Sequence, residues 1–421
     1  MLNKSGWKSA VVLLALCFAA SAAFAGGAGE GTEQFKLGTP IYLSGEFSTD
    51  GKADATVQEF EINKINKIGV AGTTIKAITL DTKCEASEEI KAIKSLVTGS
   101  KVHMVLAQLS EAIPSTLSFM KEHRVPMATA SAGTTALDQA DEWFWRFCPS
   151  DSVAGAARAV FVAQEYGDSK LGLVYSEREG PKLDALACKD YLVKLGKKIA
   201  IELPIVPEQT SYKETIRKLQ SGGIETIVVA FMTSTAIQFF KDCESSGYRP
   251  NIIGSNDIAS KDILTAVGSY MDGAVAAFGG YDSTTKWFKQ WEASVPMAEW
   301  VSKGLVSPNA GELVYATYHR DALVGIALAF ERAGSTDPEK IIKAIPYVCN
   351  PPGIEVGSYE EGAKLLREGK DINFQGASGP IDFNKYGNVM AAGTVNIVKN
   401  GEWVQLKMIP AEEIEKAVGW E

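Results

Sequence analysis

The chain has 421 residues, of which 46% are hydrophobic and 22% charged, and its formal net charge is -9 at pH 7. This length is too great for one compact core and predicts at least two domains. The acidic balance argues against a nucleic-acid partner, and the composition is that of an ordinary globular protein.

The N-terminal segment has the features of an export signal. Lys4 and Lys8 form a basic start, residues 11–20 form a short apolar core, and an Ala-Phe-Ala cleavage pattern follows. We therefore predict a signal peptide over residues 1–25 and a flexible tail over residues 26–34. The mature protein is expected in the periplasm.

The cysteines and histidines do not form a metal-binding pattern. Five cysteines remain after the predicted cleavage, without a CxxC spacing, and the chain has three histidines. We expect no metal site and no cofactor. Export permits disulfides, and the odd count leaves at least one thiol unpaired, but the pairing stays open. The cysteines concerned are Cys84, Cys148, Cys188, Cys243 and Cys349.

Short apolar runs alternate with helical periodicity in the first third of the chain. Residues 44–51 are predicted as a loop after the first strand. The predicted elements are strand Phe35–Leu43, helix Ala53–Ile68, strand Thr74–Leu80, helix Ser87–Val97, and strands Val102–Ala107 and Val125–Ala128. Such alternation implies a parallel sheet with helices on both faces.

A second run of the same kind follows a predicted crossing at residues 148–151. Its elements are helix Val153–Tyr166, strand Leu171–Tyr175, helix Leu183–Leu195, strand Ile199–Leu203, helix Tyr212–Leu219, strand Thr226–Phe231, helix Ala236–Ser245, strand Asn251–Ile253, helix Lys261–Val267 and strand Ala274–Phe278. Two α/β runs predict two lobes.

The last third of the chain adds helices and then strands. We predict helices Thr285–Glu292, Glu312–Ala333 and Pro338–Ile345, a strand Gly379–Phe383, and a hairpin around Asn400-Gly401. These additions indicate that the chain passes between the lobes more than once.

Small hydroxyl residues follow two neighbouring strands of the first run. Ser110 follows strand Val102–Ala107, whereas Ser131 and Thr134 follow strand Val125–Ala128. Open α/β sheets bind ligands at the carboxyl ends of their strands. Free backbone N–H groups with Ser or Thr caps suit an anion such as a carboxylate, although helix capping alone is the commoner role. We interpret this stretch as half of a small-molecule cleft.

The order and spacing of several motifs resemble the branched-chain amino-acid-type periplasmic binding proteins, the solute receptors of ABC importers. The motifs are Leu43-Ser44-Gly45 with Asp50-Gly51, Leu109-Ser110, Val125-Pro126-Met127 with Ser131-Ala132-Gly133-Thr134, Arg146-Phe147-Cys148-Pro149-Ser150-Asp151, Gly254-Ser255-Asn256, Tyr315 with Asp321-Ala322, Glu331-Arg332-Ala333-Gly334-Ser335 and Gly379-Pro380-Ile381-Asp382-Phe383. The resemblance implies two Rossmann-like lobes with parallel sheets, three crossover strands and a ligand cleft between the lobes. It assigns residues 35–150 and 281–375 to lobe 1, and residues 151–280 and 376–421 to lobe 2.

The resemblance also implies roles for individual residues. Ser110, Ala132 and Thr134 match the positions that hold the ligand carboxylate. The family's ammonium-binding acid matches Asn256, a neutral amide that cannot pair with a buried ammonium as a carboxylate does. Two alternatives stay open: a carboxylate without an α-amino group, such as an aromatic or aliphatic acid, or an amino acid held through Asp257 or Glu179.

The complete set of predicted ligand-binding residues combines strand ends with nearby aromatic residues. Arg178 and Glu179 could equally form a surface pair, and Tyr281 is first a hinge residue. The set is Ser110, Ala132, Gly133, Thr134, Asn256, Asp257, Phe47, Glu179, Arg178, Met232, Thr233, Tyr315 and Tyr281. A family disulfide position matches Cys84, but Leu109 stands where its partner is expected.

These patterns favour a monomeric transport receptor whose partners are a small carboxylate-bearing ligand and the membrane permease of an ABC importer. An enzyme is disfavoured, because the chain has no Gly-x-Ser-x-Gly elbow, no paired histidines and no P-loop. The alternatives are a receptor that presents its ligand to a signalling partner and, less favoured, an α/β enzyme.

Overall fold

A computed structural model describes residues 33–45, 47–306 and 310–419. The predicted signal peptide and all but the last two residues of the predicted tail lie outside the described residues. The strands are β1 (Phe35–Ile41), β2 (Ile75–Asp81), β3 (Met104–Ala107), β4 (Met127–Thr129), β5 (Phe144–Arg146), β6 (Leu171–Ser176), β7 (Ile199–Ile205), β8 (Thr226–Ala230), β9 (Asn251–Gly254), β10 (Val275–Gly279), β11 (Ile354–Val356), β12 (Ile372–Phe374), β13 (Gly393–Lys399) and β14 (Glu402–Ile409).

Helices separate most of these strands, as the alternating pattern predicts. The helices are α1 (Ser48–Ile68), α2 (Ala86–Ser95), α3 (Ile113–Glu122), α4 (Asp151–Glu165), α5 (Glu179–Lys194), α6 (Lys213–Ser221), α7 (Thr233–Ser245), α8 (Lys261–Val267), α9 (Lys286–Ser294), α10 (Met297–Ser302), α11 (Ala310–Ala333), α12 (Pro338–Cys349), α13 (Tyr359–Arg367) and α14 (Ala411–Val418).

The first lobe contains a parallel sheet with the strand order β2-β1-β3-β4-β5. Strand β1 pairs with β2 along its whole length, from Phe35 opposite Ile75 to Ile41 opposite Asp81. Every residue of β3 and β4 is buried, because helices cover both faces of a parallel sheet. All carboxyl ends of these strands therefore point to one edge of the sheet.

The second lobe contains a sheet with the order β14-β13-β10-β9-β8-β6-β7. Strands β6 to β10 are parallel to one another, and β13 and β14 add an antiparallel edge. Asn400 and Gly401 connect β13 to β14 with φ angles of 55° and 76°. Positive φ at both positions is what a two-residue hairpin turn requires, so the predicted hairpin is confirmed.

The chain passes between the two lobes three times. It leaves the first sheet after β5, and it returns after β10 into a helical segment in which α11 packs on α1, α12 and α13. It crosses again between β12 and β13. The two-lobe α/β fold class with parallel sheets is thus confirmed, while the residue-by-residue division into lobes stays a prediction.

Two predicted segments differ from the structure. Residues 44–51 were expected as a loop, but α1 already begins at Ser48. The first turn of α1 packs closely on Tyr42, and a Cβ at position 51 would lie 2.1 Å from the Tyr42 carbonyl oxygen. Gly51 has no Cβ and therefore permits this close approach. The predicted strand Gly379–Phe383 makes only isolated bridges, since Pro380 lacks the N–H that a sheet ladder needs.

The two positions that match the family's disulfide lie close together, but only Cys84 is a cysteine. Cys84 and Leu109 belong to the same small apolar cluster beside Tyr42. Four further cysteines are buried thiols inside the lobes: Cys148, Cys188, Cys243 and Cys349. Within the described ranges, no helix combines the length and apolar character needed to span a membrane.

Candidate functional site

A cleft of about 890 Å³, including its open mouth, lies where the strand ends of the two sheets face each other. Its wall contains residues that directly follow β1, β3 and β4 of the first sheet and β6, β8 and β9 of the second. The described wall residues are Tyr42, Phe47, Asp50, Gln108, Leu109, Ser110, Glu111, Ser131, Gly133, Asp151, Arg178, Gly180, Pro181, Asp184, Met232, Asn256, Asp257 and Tyr315. This is the position at which open α/β sheets bind ligands.

The cleft brings together most of the residues predicted from the sequence. Thr233 lines an adjoining cavity that shares Phe47, Met232, Asn256 and other wall residues with the first. Those in the main wall are Ser110, Gly133, Asn256, Asp257, Phe47, Arg178, Met232 and Tyr315. Their contact with a ligand stays a prediction.

Ala132 and Thr134 lie behind the wall rather than in it, and their polar groups already have partners. The backbone N–H groups of Ser131 and Ala132 donate to Thr129 Oγ1 at 3.2 and 3.0 Å. Thr134 is fully buried, and its Oγ1 accepts from the Ala136 N–H at 3.4 Å. Both residues therefore take part in loop structure, which is the capping role weighed for Thr134.

Two further predicted residues are also outside the described wall. Tyr281 is buried against Phe288, with ring centroids 4.9 Å apart, and belongs to the core beside the second crossing. Glu179 is an exposed residue at the start of α5. Partial burial, and then the charge of the wall residue Glu111, raise the pKa of Glu179.

Glu89 accepts hydrogen bonds from the backbone N–H groups that follow β3. Its buried carboxylate accepts from the N–H groups of Gln108 and Leu109, at 2.8 and 3.0 Å for Oε1. Burial raises the pKa of Glu89 to about 7. The loop before Ser110 is thus held by an acid on α2, which sequence reasoning did not single out.

A buried polar network supports Ser131 from behind the cleft. His319 on α11 is fully buried, and its Nε2 lies 2.8 Å from Ser131 Oγ and 3.1 Å from Asp54 Oδ2. Gln58 approaches the other ring nitrogen at 2.9 Å. A Ser–His–Asp relay places serine and aspartate on different ring nitrogens, whereas both contacts here fall on Nε2. The network therefore positions Ser131 and lacks the arrangement of a hydrolase triad.

Three aspartates of the wall lie close enough to influence one another electrostatically. Asp151 begins α4, and its N–H donates to the Gly133 carbonyl at 2.7 Å. A Cβ on Gly133 would lie 2.1 Å from Asp151 Oδ1, so only glycine admits the carboxylate here. Burial, and then the charge of Asp184, raise the pKa of Asp151 well above its usual value and that of Asp257 to about 7.

The third aspartate, Asp184, has a fixed partner. It accepts two hydrogen bonds from the fully buried Arg158 guanidinium, at 2.7 and 2.8 Å. Arg158 Nε also faces the carbonyls of Gly254 and Ala277, both at 3.2 Å. Because these contacts are separated by many residues in sequence, sequence patterns did not identify Asp184, and Asp151 appeared only as part of a crossing.

Asn256 and Tyr315 connect the two lobes at the back of the cleft. Asn256 Nδ2 donates to the Tyr315 hydroxyl at 2.9 Å and also to Asp257 Oδ1 at 3.1 Å. Burial raises the pKa of Tyr315 well above its usual value, so the hydroxyl stays neutral. The Asn256 amide thus contacts a side chain of the opposite lobe.

Replacing Tyr315 with phenylalanine should lower the free energy of unfolding by about 0.5–1.5 kcal/mol, the usual net contribution of one hydrogen bond. Urea denaturation followed by fluorescence measures this difference. Tyr347→Phe is the matched control, because that ring is 61% exposed. Equal stability of the two variants would contradict a hydrogen bond between the lobes.

Comparison with known proteins places this architecture in a family. A family model described as periplasmic binding protein matches residues 34–392. The leucine-, isoleucine-, valine-, threonine- and alanine-binding protein of Pseudomonas aeruginosa is 20% identical over 286 residues, which cover 68% of this chain and 74% of that protein.

Solved structures of the same architecture support the assignment at the level of fold. A leucine-binding protein from Thermotoga maritima superposes with a TM-score of 0.74 at 20% identity, over 90% of this chain and 99% of that one. An ABC-transporter solute-binding protein from Rhodopseudomonas palustris, in complex with 3,4-dihydroxybenzoic acid, has a TM-score of 0.71 at 17% identity, over 90% of this chain and 98% of that one. The chain belongs to the periplasmic binding protein family, and its fold is that of the branched-chain amino-acid-type receptors, as its motifs predict.

Proposed function

We propose that this protein captures a small solute of the amino-acid class in the cleft, closes around it by a hinge motion and delivers it to the permease of an ABC importer. The observation that carries this proposal is the convergence of polar strand ends from both sheets on one cavity. Capture in a cleft between two lobes is a binding role and needs no catalytic group. Family membership and the predicted export signal support a periplasmic location.

The crossings are anchored in a way that supports a hinge. Tyr318 on α11 donates to the Gly279 carbonyl at 3.0 Å, beside the second crossing. One turn further along, Asp321 accepts from the N–H groups of Ala377 and Ser378, both at 2.8 Å, in the third crossing. Rotation of the lobes about such fixed strands is a common mode of closure around a ligand. We propose 35–150 with 281–375, and 151–280 with 376–421, as the moving units.

The charges of the wall favour a ligand with an amino group over a simple carboxylic acid. Asp151 and Asp257 face the cavity from the first crossing and from the end of β9. An ammonium group offsets the cost of burying such carboxylates when the lobes close, whereas another anion increases it.

An aromatic carboxylic acid is the second candidate. Phe47, Tyr42 and Tyr315 give the wall aromatic surface, and a structural relative was solved with a dihydroxybenzoic acid. Arg178 in the wall is a suitable partner for such an acid.

A binding panel on protein that has been unfolded, freed of ligand and refolded tests the proposal. Amino acids and aromatic acids are compared by thermal shift, and small-angle scattering follows the radius of gyration. A true ligand at about 100 times its Kd adds roughly 2.7 kcal/mol of stability, and closure reduces the radius. Stabilisation by an aromatic acid but by no amino acid would favour the second candidate. A ligand that binds without compaction would overturn the closure mechanism.

A further inference from the structure

The wall of the cleft carries an excess of negative charge. Its described residues include the carboxylates Asp50, Glu111, Asp151, Asp184 and Asp257, and the guanidinium of Arg178. Asp50 and Arg178 have opposite charges and cancel in a count of formal charge. The remaining four carboxylates are accompanied by Arg158, which lies behind the wall and pairs with Asp184.

The other guanidinium near these acids is already occupied. Burial raises the pKa of Asp151 and the charge of Arg146 opposes this rise, but the ion-pair partner of Arg146 is Asp138 at 2.5 Å. Asp257 accepts from neutral donors, at 3.1 Å from Asn256 Nδ2 and 3.4 Å from Ser255 Oγ. When the lobes close without a cationic ligand, these carboxyl groups must therefore either take up protons or be buried in excess of the positive charge.

The donors expected to bind a ligand carboxylate are largely engaged by the protein itself. Glu89 accepts from the N–H groups at the end of β3, and Thr129 accepts from those after β4. The Asp151 carboxylate packs against Gly133, which belongs to the loop predicted to bind the ligand's carboxylate. The site thus offers few of the contacts that a carboxylate needs and many that an ammonium needs.

Aromatic rings in the wall of the cleft favour an organic cation as the ligand. Tyr42 and Phe47 both belong to the wall, with ring centroids 6.0 Å apart, and aromatic rings attract an organic ammonium. Across the described ranges, His, Cys, Asp and Glu side chains nowhere form a group of three that could hold a metal ion.

We propose that the ligand is an organic cation with more ammonium than carboxylate groups, and that one ammonium lies between Asp151 and Asp257. A diamine or a basic amino acid has this charge. For a basic amino acid, Arg178 and Ser110 are wall groups whose chemistry suits the single carboxylate. This inference rests on the proposed solute-binding function and specifies its ligand.

Isothermal titration of the refolded, ligand-free protein tests the inference with four probes. These are 1,5-diaminopentane, lysine, leucine and benzoate, which range from doubly cationic to anionic. At least one of the two cations should bind about 100-fold more tightly than leucine and benzoate. If leucine or benzoate binds as tightly as the better cation, the cation inference is overturned while the proposed function stands. If none of the four binds, the cation inference is overturned, and binding across the wider panel of amino acids and aromatic acids decides the proposed function.

Two variants that replace a carboxylate with an amide test where the ligand's ammonium group binds. Asp151→Asn and Asp257→Asn should each weaken binding of the preferred cation by about 30-fold or more, whereas Glu244→Gln, on the exposed side of α7, should leave it unchanged. The midpoint of thermal unfolding shows whether a variant that binds more weakly has also lost stability. Both amide variants should unfold at the same temperature as the unmodified protein or higher, since each removes like-charge repulsion. Unchanged cation affinity in both would overturn the placement of the ammonium.

Discussion

Replacing Arg158 with methionine should lower the free energy of unfolding by about 3–5 kcal/mol, because it leaves the buried Asp184 carboxylate without its charged partner. The guanidinium is fully buried and makes both of its paired hydrogen bonds to that carboxylate. Burial alone would lower the pKa of Arg158, but the charge of Asp184 outweighs it and raises the pKa above the usual range. Arg158 therefore stays charged throughout the physiological pH range.

The effect extends beyond the pair, since Arg158 joins several elements of the second lobe. From α4 it reaches Asp184 on α5, and its Nε contacts the carbonyl ends of Gly254 in β9 and Ala277 in β10. Methionine has a similar length and fills the space, but it cannot donate to these groups. The buried carbonyls lose a donor at the same time as the carboxylate.

Chemical denaturation of the variants measures the loss. Arg124→Met is the matched control, because Arg124 contacts Glu339 at 2.6 Å but is 60% exposed and should contribute less than about 1 kcal/mol. The double variant Arg158→Met with Asp184→Leu should recover most of the stability, since it removes the uncompensated charge. A loss for Arg158→Met no greater than that of the control would contradict the role of the pair.

Much of the fold can be predicted from the sequence, because local residue patterns define its helices and strands. The strands of both sheets are short apolar runs, and the helices between them have clear periodicity, so the parallel pairing follows from the alternation. The turn at Asn400-Gly401 is specified by the backbone freedom of two residues. The predictions failed where a residue had a non-local role, as with Gly51, which resembles a turn residue but allows α1 to approach Tyr42.

The site residues that follow strands could be predicted from the sequence, whereas the buried side chains that contact them could not. Ser110, Gly133, Asn256 and Asp257 each follow a strand closely, and strand ends converge in any open α/β sheet. The side chains that position the site residues, or that add charge near them, are far from those residues in the sequence. Gln58 contacts His319 from 261 residues away. No local pattern encodes such pairs, and so the excess of acids around the cleft became visible only in three dimensions.

Binding of an organic cation should become tighter as the pH rises, and it should release a proton. Burial, and then the charge of Asp184, raise the pKa of Asp257 to about 7, so that most ligand-free molecules hold a proton there at pH 6. An ammonium requires the ionised carboxylate and displaces this proton. The Kd should therefore fall by up to about tenfold per pH unit between pH 5 and 7 and then level off, since the ammonium itself stays charged until about pH 10.

The stability of the ligand-free protein should change in the opposite direction. Between the unfolded pKa of Asp257, about 3.8, and its folded value of about 7, the folded chain binds a proton that the unfolded chain does not. Stability consequently falls as the pH rises through this window. Glu89, with a pKa also raised to about 7, and Asp151, whose pKa is raised well above its usual value, add to the trend. The groups around Asp257 that influence its ionisation are Asp151, Asp184, Arg158, Ser255, Asn256 and Tyr315.

Calorimetric titration at pH 6, in two buffers with different ionisation enthalpies, measures the proton released per ligand. We expect at least most of one proton at pH 6, because Asp257 and Asp151 both have raised pKa values, and a smaller release at pH 9. Asp257→Asn should remove the part of the release that comes from Asp257, and Glu244→Gln should leave the release intact. An affinity that stays constant from pH 5.5 to 8 would mean that the cation does not rely on Asp257, and the ammonium would then have to be placed against Asp184 or at the exposed mouth near Glu111.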